Sequence, residues 1–89
     1  MRSRTTAQFR RELLRLPENV QRQARAAYQH FKQDPFHPSL HFKRVNAAEP
    51  VYSVRVGLTH RAVALVEHGE AVWFWIGSHA DYDHLISRL

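Results

Sequence analysis

The sequence predicts an α+β fold, with two N-terminal helices packed on one face of a twisted antiparallel sheet of about four strands, followed by a C-terminal helix. Two observations support this prediction. Apolar residues recur at helical spacing as far as Phe31 and alternate with polar residues after Ser39. The helical part precedes the alternating part and does not interleave with it, which is typical of helices that lie on one face of an antiparallel meander.

A first helix is predicted over residues 7–16. Its apolar residues recur at helical spacing and are Phe9, Leu13 and Leu16. Its N-cap is Thr5 or Thr6, because a threonine hydroxyl can accept a hydrogen bond from a free backbone N–H of the first turn. Residues 4–6 also allow a short first strand, although their apolar pattern is weak.

A second helix is predicted to begin at Pro17, because proline fits the first helical position, where its missing N–H breaks no hydrogen bond. The apolar side of this helix carries Val20, Ala24, Ala27, Tyr28 and Phe31. Its polar faces carry Arg22, Gln23, Arg25 and Lys32. The pair Asp34-Pro35 ends the helix, and Pro38 prevents a restart.

The strands are predicted from the alternation of apolar and polar residues. They cover residues 40–45, 52–56, 61–67 and 71–76. The last of them is apolar enough to be buried on both faces. Turns at 57–59 and at His68-Gly69 connect the last three strands.

A final helix is predicted after the last strand. Ser78, with Asp81 three residues later, indicates its N-terminal cap. One side of this helix is apolar and carries Tyr82, Leu85, Ile86 and Leu89. The whole chain, residues 1–89, is therefore expected to form one domain, since its length leaves no room for a second core.

Composition limits the function. The chain has no cysteine, which excludes disulfides, zinc knuckles and thiol catalysis. The first residues lack the apolar stretch of a secretory signal, and the longest apolar run, residues 71–77, is too short to cross a bilayer. We therefore expect a cytoplasmic protein with no membrane partner.

Charge favours a polyanionic partner. The chain carries 13 Lys and Arg against 8 Asp and Glu, a net charge of +5. Up to residue 50 there are ten cations and four acids, and from residue 51 three cations and four acids, so the excess lies in the N-terminal half. Arginine, the more common cation here, binds phosphate through two parallel hydrogen bonds. The residues expected to contact RNA are Arg22, Arg25, Lys32 and Arg44; an ordinary solvated surface is the alternative.

The sheet face opposite the two helices is left for chemistry. The candidate residues outside the core are His41, Lys43, Arg55, Arg61 and His79. Cleavage of an RNA backbone removes a proton from the 2′-hydroxyl, adds one to the leaving 5′-oxygen and builds charge on the phosphorane between them. Histidine suits the proton transfers, and arginine or lysine suits the charge. This chemistry requires neither a metal nor a cofactor.

Each candidate also has a structural interpretation. Arg55 and Arg61 on half-exposed strands, and Lys43 at a strand edge, are compatible with solvated surface. His79 is compatible with local hydrogen bonding at a helix start, and His41 with loop packing. Tyr82 lies on the apolar side of its helix, which favours a core role.

Two pairs of residues have spacings that fit metal ligands. They are His37 with His41 and His79 with Asp83. Neither pair has a third ligand, and lone pairs at such spacings are common. No metal site is therefore predicted.

Four segments occur in an order that resembles the RelE/ParE superfamily of bacterial toxins. They are residues 40–45 (LHFKRV), 52–56 (YSVRV), 60–66 (HRAVALV) and 73–82 (WFWIGSHADY). The likeness covers nearly the whole chain, and the ordered set is more specific than any single motif. It implies a twisted antiparallel sheet with two N-terminal helices across one face, and a cognate antitoxin as partner in a toxin–antitoxin hetero-oligomer.

The resemblance also implies residue roles. Arg61 matches the family's phosphate-stabilising arginine, and Arg55 the second basic position of a Tyr-Lys-x-Lys-like strand, whose first basic position is Ser53 here. Residues 77–81 are similar to the Gly-Thr-His-Ser-Asp stretch of the YafQ branch, in which the histidine is catalytic, so His79 takes that role. Tyr82 is a candidate for a family tyrosine. The last loop lacks the arginine of RelE, which leaves the general acid open.

Two activities follow from this resemblance. The first is a ribosome-associated mRNA endonuclease that inhibits translation, with the basic helices on ribosomal RNA and the opposite sheet face on mRNA. Arg55, Arg61 and His79 favour it. The second is a non-enzymatic inhibitor of DNA gyrase, as in ParE-type relatives. An inert family member that only binds its antitoxin is a further alternative.

Overall fold

The computed structural model, which describes residues 1–89, contains five strands and three helices. In chain order they are β1 (Arg2–Thr5), α1 (Ala7–Leu14), α2 (Glu18–Gln33), a 3₁₀ turn (Pro38–Leu40), β2 (Lys43–Arg44), β3 (Val51–Val56), β4 (His60–Glu67), β5 (Glu70–Ser78) and α3 (His79–Ser87). The strands form one sheet in the order β1-β5-β4-β3-β2. The predicted α+β class is confirmed.

The sheet differs from the prediction at β1. This strand runs parallel to β5, with Arg2 opposite Glu70 and Thr5 opposite Trp73, whereas the other neighbours are antiparallel. The indole N–H of Trp73 donates to the hydroxyl of Ser3 at 2.8 Å, which fixes β1 against β5. The sequence predicted an antiparallel sheet of about four strands, but the sheet is mixed and has five strands. The apolar pattern of β1 is weak on its own, and β1 becomes a strand because it pairs with β5.

The helix boundaries follow local hydrogen bonding. The hydroxyl of Thr6 accepts from the backbone N–H of Phe9 at 3.1 Å, so Thr6 is the N-cap of α1. This helix ends two residues before the predicted Leu16. The sequence predicted Pro17 as the first helical residue of α2, but Pro17 is the N-cap that precedes the helix. The predicted end of α2 before Asp34-Pro35 is confirmed.

The predicted strand over residues 40–45 is wrong in its first half. Residues Pro38–Leu40 form a 3₁₀ turn, and His41 follows with φ 46°, a left-handed conformation that an extended strand cannot contain. Pro38, predicted to prevent any helical restart, instead begins this turn, since its fixed φ fits a first helical position. Only Lys43–Arg44 pair with β3.

The turn and cap predictions at the C-terminal end are confirmed. His68 and Gly69 both have positive φ, 53° and 73°, as a two-residue hairpin turn between twisted strands requires. The hydroxyl of Ser78 accepts from the backbone N–H of Asp81 at 3.2 Å and caps α3. Leu89, predicted on the apolar side of this helix, lies beyond its end and is exposed.

The sheet has two unequal faces. On the helix face, α1 and α2 cover the main core, whose buried residues are Phe9, Val20, Phe31, Leu40, Val54, Val56, Ala62, Ala64, Ala71, Trp73 and Ile76. On the α3 face, a smaller buried cluster contains Val51, Val63 and Tyr82. The expectation that this second face is open is therefore wrong in part, because α3 folds back over it. None of the helices is long and apolar enough to cross a lipid bilayer.

Candidate active site

Strand register gathers the basic candidates on the α3 face. Arg55 of β3 lies directly opposite Arg61 of β4, and Lys43 of β2 lies opposite Ser53 of β3. Residues paired across antiparallel strands project to the same side of the sheet. Three cations from three adjacent strands therefore share one face, with Lys43 exposed at the edge and Arg55 half-buried.

Arg61 is the most unusual residue of the site. It is 8% exposed, and with Ser53 it forms the complete set of buried polar or charged residues. Its one side-chain hydrogen bond, from Nη1 to the hydroxyl of Ser53, is long at 3.5 Å. The ion pairs of the protein lie elsewhere, joining Arg4 to Glu70, Arg22 to Glu18 and His79 to Asp83.

The guanidinium of Arg61 is buried and has no carboxylate partner. Arginine stays charged and offers five N–H donors, and burying such a charge without a counter-ion is unfavourable. Arg55, a second cation directly across the strands, adds like-charge repulsion. The sequence allowed Arg61 to be solvated surface, but the structure places it in the interior. This arrangement favours an anionic ligand that completes the hydrogen bonding of the pair.

Tyr82 covers Arg61 from α3. The guanidinium carbon lies 5.3 Å from the centre of the tyrosine ring, a cation–π distance. The phenol donates to the hydroxyl of Ser53 at 3.0 Å, and the residue is 6% exposed. Because its proton is already donated inside the core, Tyr82 is arranged to hold Arg61 and Ser53 in place more than to transfer a proton.

His79 lies at the open rim of this cluster. It is the first residue of α3, as predicted, and its backbone N–H donates to the carbonyl of Thr59 at 2.9 Å. Its ring centre is 5.8 Å from that of Tyr82, and its Nε2 is 3.8 Å from Oδ1 of Asp83. The side chain is 58% exposed. The accessible imidazole of His79 and the buried guanidinium of Arg61 thus both lie near the ring of Tyr82, and the carboxylate of Asp83 lies near the imidazole.

His41 is not brought into the site. It lies exposed in its left-handed conformation between the 3₁₀ turn and β2. No hydrogen bond, ion pair or ring contact joins its side chain to Arg61, Tyr82 or His79. The structure also contains no group of three or more His, Asp or Glu side chains that could hold a metal ion.

The predicted RNA-binding residues of α2 lie on the other side of the sheet. Arg22, Arg25 and Lys32 are exposed, with Nζ of Lys32 5.2 Å from the ring centre of Tyr28. Arg25 and Lys32 border a groove of about 580 Å³ between α1, α2 and the sheet. Arg44 instead donates from Nε to the carbonyl of Asn46 at 2.9 Å and so fixes its own loop.

Sequence reasoning missed the importance of Ser53. It appeared as a departure from a basic family position, yet it is fully buried and joins Arg61 to Tyr82. A small hydroxyl on the same side of β3 as Val51 and Arg55 was the available signal. The importance of Ser53 is visible only in the register of β3, which places this residue beside β4.

The comparisons with known proteins support this fold. The model of the ParE-like toxin domain family matches residues 18–84, and the chain belongs to that family. No curated protein sequence matches the chain.

Solved structures share the fold at low sequence identity. The RelB–RelE antitoxin–toxin complex of Methanococcus jannaschii is 15% identical, covers 90% of this chain and 95% of that chain, and has a TM-score of 0.72. YafQ of Escherichia coli is 8% identical over 92% and 98%, with a TM-score of 0.73. The RelBE2 toxin–antitoxin complex of Mycobacterium tuberculosis is 22% identical over 88% and 96%, with a TM-score of 0.62.

Proposed function

We propose that this protein is the toxin of a type II toxin–antitoxin pair and an endoribonuclease that cleaves mRNA on the ribosome. The observation that carries the proposal is Arg61, a buried guanidinium with no carboxylate partner, directly opposite Arg55. It contacts the ring of Tyr82, which also neighbours the accessible imidazole of His79. A backbone phosphate supplies the acceptor oxygens that this pair lacks. The family membership of the chain supports the toxin class.

The residues divide the reaction between them. His79 accepts the proton of the 2′-hydroxyl, and the freed 2′-oxygen attacks the adjacent phosphorus. Arg61 and Arg55 stabilise the charge that builds on the phosphorane. The bond from phosphorus to the 5′-oxygen then breaks, and that oxygen takes a proton from water. The hydroxide that remains takes the proton held by His79, which restores the neutral imidazole. The products are a 2′,3′-cyclic phosphate and a new 5′-hydroxyl end.

A cognate antitoxin fits the other side of the molecule. The groove between α1, α2 and the sheet is mostly apolar, and its cations are Arg4, Arg10, Arg25 and Lys32. A partner with acidic and apolar residues complements such a surface. The M. jannaschii and M. tuberculosis structures are complexes of a toxin with its antitoxin, which supports the same kind of partner here. The exposed cations of α2, Arg22 outside the groove and Arg25 at its border, are available for ribosomal RNA when no antitoxin is bound.

A non-enzymatic gyrase inhibitor is the second candidate. It is favoured by the match to the ParE-like family and by the cover that Tyr82 places over Arg61, since a guanidinium 8% exposed offers little surface to RNA. The two candidates differ in which macromolecule is altered. RNA is cut in the first, and DNA supercoiling fails in the second.

The test is expression of the chain without an antitoxin. We expect growth arrest, with new 5′-hydroxyl mRNA ends inside translated regions and normal supercoiling by purified gyrase. Arg61→Ala, shown to be folded by thermal melting, is the matched control and should produce no new ends. Arrest without new ends but with inhibited supercoiling would establish the gyrase candidate. Normal growth with soluble protein accumulating would overturn both.

A further inference from the structure

Trp75 and Gly77 lie beside the buried arginine on the α3 face. Gly77 of β5 is the direct partner of Arg61, and Trp75 is the partner of Val63. A Cβ atom placed on Gly77 would lie 2.8 Å from both Cζ2 and Cη2 of Trp75. The six-membered ring of the indole therefore occupies the space above Gly77, one strand away from Arg61.

The two tryptophans of the chain have opposite environments. Trp73 is 3% exposed, and its indole N–H donates to Ser3. Trp75 is half-buried, with its inner part against the small cluster of the α3 face, and its indole N–H donates to no protein atom. Trp73 has the contacts of a core residue, whereas Trp75 keeps aromatic surface and a donor available to a ligand.

Trp75 forms one wall of a cleft of about 460 Å³ between α1, β5 and α3. Glu12 contributes a carboxylate from α1, and its Oε1 accepts from the backbone N–H of Ile76 at 3.4 Å. Asp81 contributes a second carboxylate from α3. His84 and Arg88 also line the cleft. The two carboxylates can accept hydrogen bonds from the amino and imino groups of a nucleobase.

We propose that Trp75 is a stacking platform for one base of the RNA strand, while the neighbouring phosphate lies against Arg61. This inference rests on the proposed function and adds a substrate-binding residue to it. Aromatic side chains bind single-stranded nucleic acid in this way, because every base has a π-face. Gly77 is a positioning residue, since only the absence of a side chain lets the indole lie over the strand next to Arg61.

Tryptophan fluorescence tests this directly. The probe is a ten-nucleotide single-stranded RNA of mixed sequence with 2′-O-methyl sugars, which lacks the hydroxyl needed for cleavage. Wild type should lose emission as RNA is added, because a stacked base quenches the indole. Trp75→Phe, whose only emitter is the buried Trp73, should show no quenching. Trp75→Leu should bind the same RNA about tenfold more weakly by anisotropy of a labelled strand.

Two further variants separate stacking from general apolar contact. Phe36→Leu removes another aromatic ring, which is 76% exposed in the segment before the 3₁₀ turn, and should leave the affinity unchanged. Gly77→Ala should shift the emission of the free protein and weaken quenching, because the indole must move. Equal loss of affinity in Phe36→Leu and Trp75→Leu would overturn the proposal, as would full quenching in Trp75→Phe or no RNA-dependent quenching in wild type.

The nuclease proposal and the stacking proposal fail separately. Quenching that depends on Trp75, in a protein that produces no new mRNA ends, would overturn the nuclease and retain the platform. New mRNA ends from a protein whose emission never responds to RNA would retain the nuclease and overturn the platform.

Discussion

The two faces of the sheet differ in the polarity of the residues that they bury. The helix face buries eleven apolar residues and no polar one. The α3 face buries three apolar residues together with Ser53 and the unpaired charge of Arg61. Apolar burial stabilises a fold, whereas an unpaired buried charge opposes it. The contrast indicates that stability resides mainly in the helix face and that the buried charge of the α3 face opposes it.

The same contrast appears in two serines. On the helix-face side, Ser3 accepts from the indole of Trp73 at 2.8 Å and fastens β1 to the sheet. On the α3 face, Ser53 accepts from the phenol of Tyr82 at 3.0 Å and also from Arg61. Each hydroxyl satisfies an aromatic donor, but only Ser53 also contacts a charged group of the candidate site. A comparison of variants at the two serines therefore separates an effect on stability from an effect on activity.

The largest effect is expected in the core of the helix face. Phe31 is 2% exposed and makes edge contacts with Trp73 and Phe42 at 5.0 and 5.4 Å between ring centres. Phe31→Ala should lower the free energy of unfolding by about 3–5 kcal/mol in urea denaturation. Phe36→Ala, which removes an exposed ring, should change it by about 0.5 kcal/mol or less. Similar losses in both variants would contradict the assignment of Phe31 to the main core.

Arg61 should show the reverse pattern. Arg61→Met should lower the single-turnover rate of mRNA cleavage by about 10²–10³-fold, as the loss of a preorganised donor to transition-state charge does. Its free energy of unfolding should stay the same or rise, because the variant replaces an unpaired buried charge by an apolar side chain. Arg61→Lys should recover only part of the rate, since an ammonium lacks the planar pair of donors. A variant that cleaves normally would remove Arg61 from the chemistry.

His79 should affect the rate and its pH dependence together. His79→Ala should reduce the single-turnover rate by about 10²-fold, at the lower end for acid–base groups because the imidazole is largely exposed. The rate of His79→Ala should depend less on pH than that of wild type, since only a neutral imidazole accepts a proton. Asp83→Asn is a milder variant that should lose less than His79→Ala. A wild-type pH profile retained in His79→Ala would assign the proton transfer to another group.

The serine pair gives a smaller and sharper comparison. Ser53→Ala and Ser3→Ala should each lower the free energy of unfolding by about 1–2 kcal/mol, because each leaves an aromatic donor without its acceptor. Only Ser53→Ala should also slow cleavage, by about tenfold, since Arg61 and Tyr82 lose their common partner. Measuring both quantities for both variants tests this; equal slowing by Ser3→Ala would show that stability alone controls the rate.

The smallest effect concerns the exposed cations of α2. The double variant Arg22→Gln, Arg25→Gln should keep the wild-type melting temperature and bind ribosomes more weakly. The slope of log affinity against log salt should fall by about two, one for each lost phosphate contact. Co-sedimentation across a salt series measures it, and an unchanged slope would show that these arginines do not contact ribosomal RNA.

The sequence predicts well the features that depend on neighbouring residues. The hairpin turn at His68-Gly69 and the caps at Thr6 and Ser78 are local, and all three are found. The parallel pairing of β1 with β5 cannot be predicted from a local pattern, because the paired residues are nearly seventy positions apart. The candidate site likewise has a part that the local sequence predicts and a part that it does not. The basic strand positions are visible in the alternation, whereas the burial of Arg61 depends on how α3 folds back across the sheet.

The parallel pairing of β1 with β5 also determines when the protein can fold during its own synthesis. β5 lies between β1 and β4, and it is the last strand to be made. A nascent chain that has reached Glu67 contains α1, α2 and the β3–β4 hairpin, but it lacks β5 and α3. In that chain β1 has no partner, Trp73 is missing from the core and Tyr82 does not cover Arg61. Contacts between such distant segments also slow folding. The candidate site is therefore incomplete until residues beyond Glu67 have emerged.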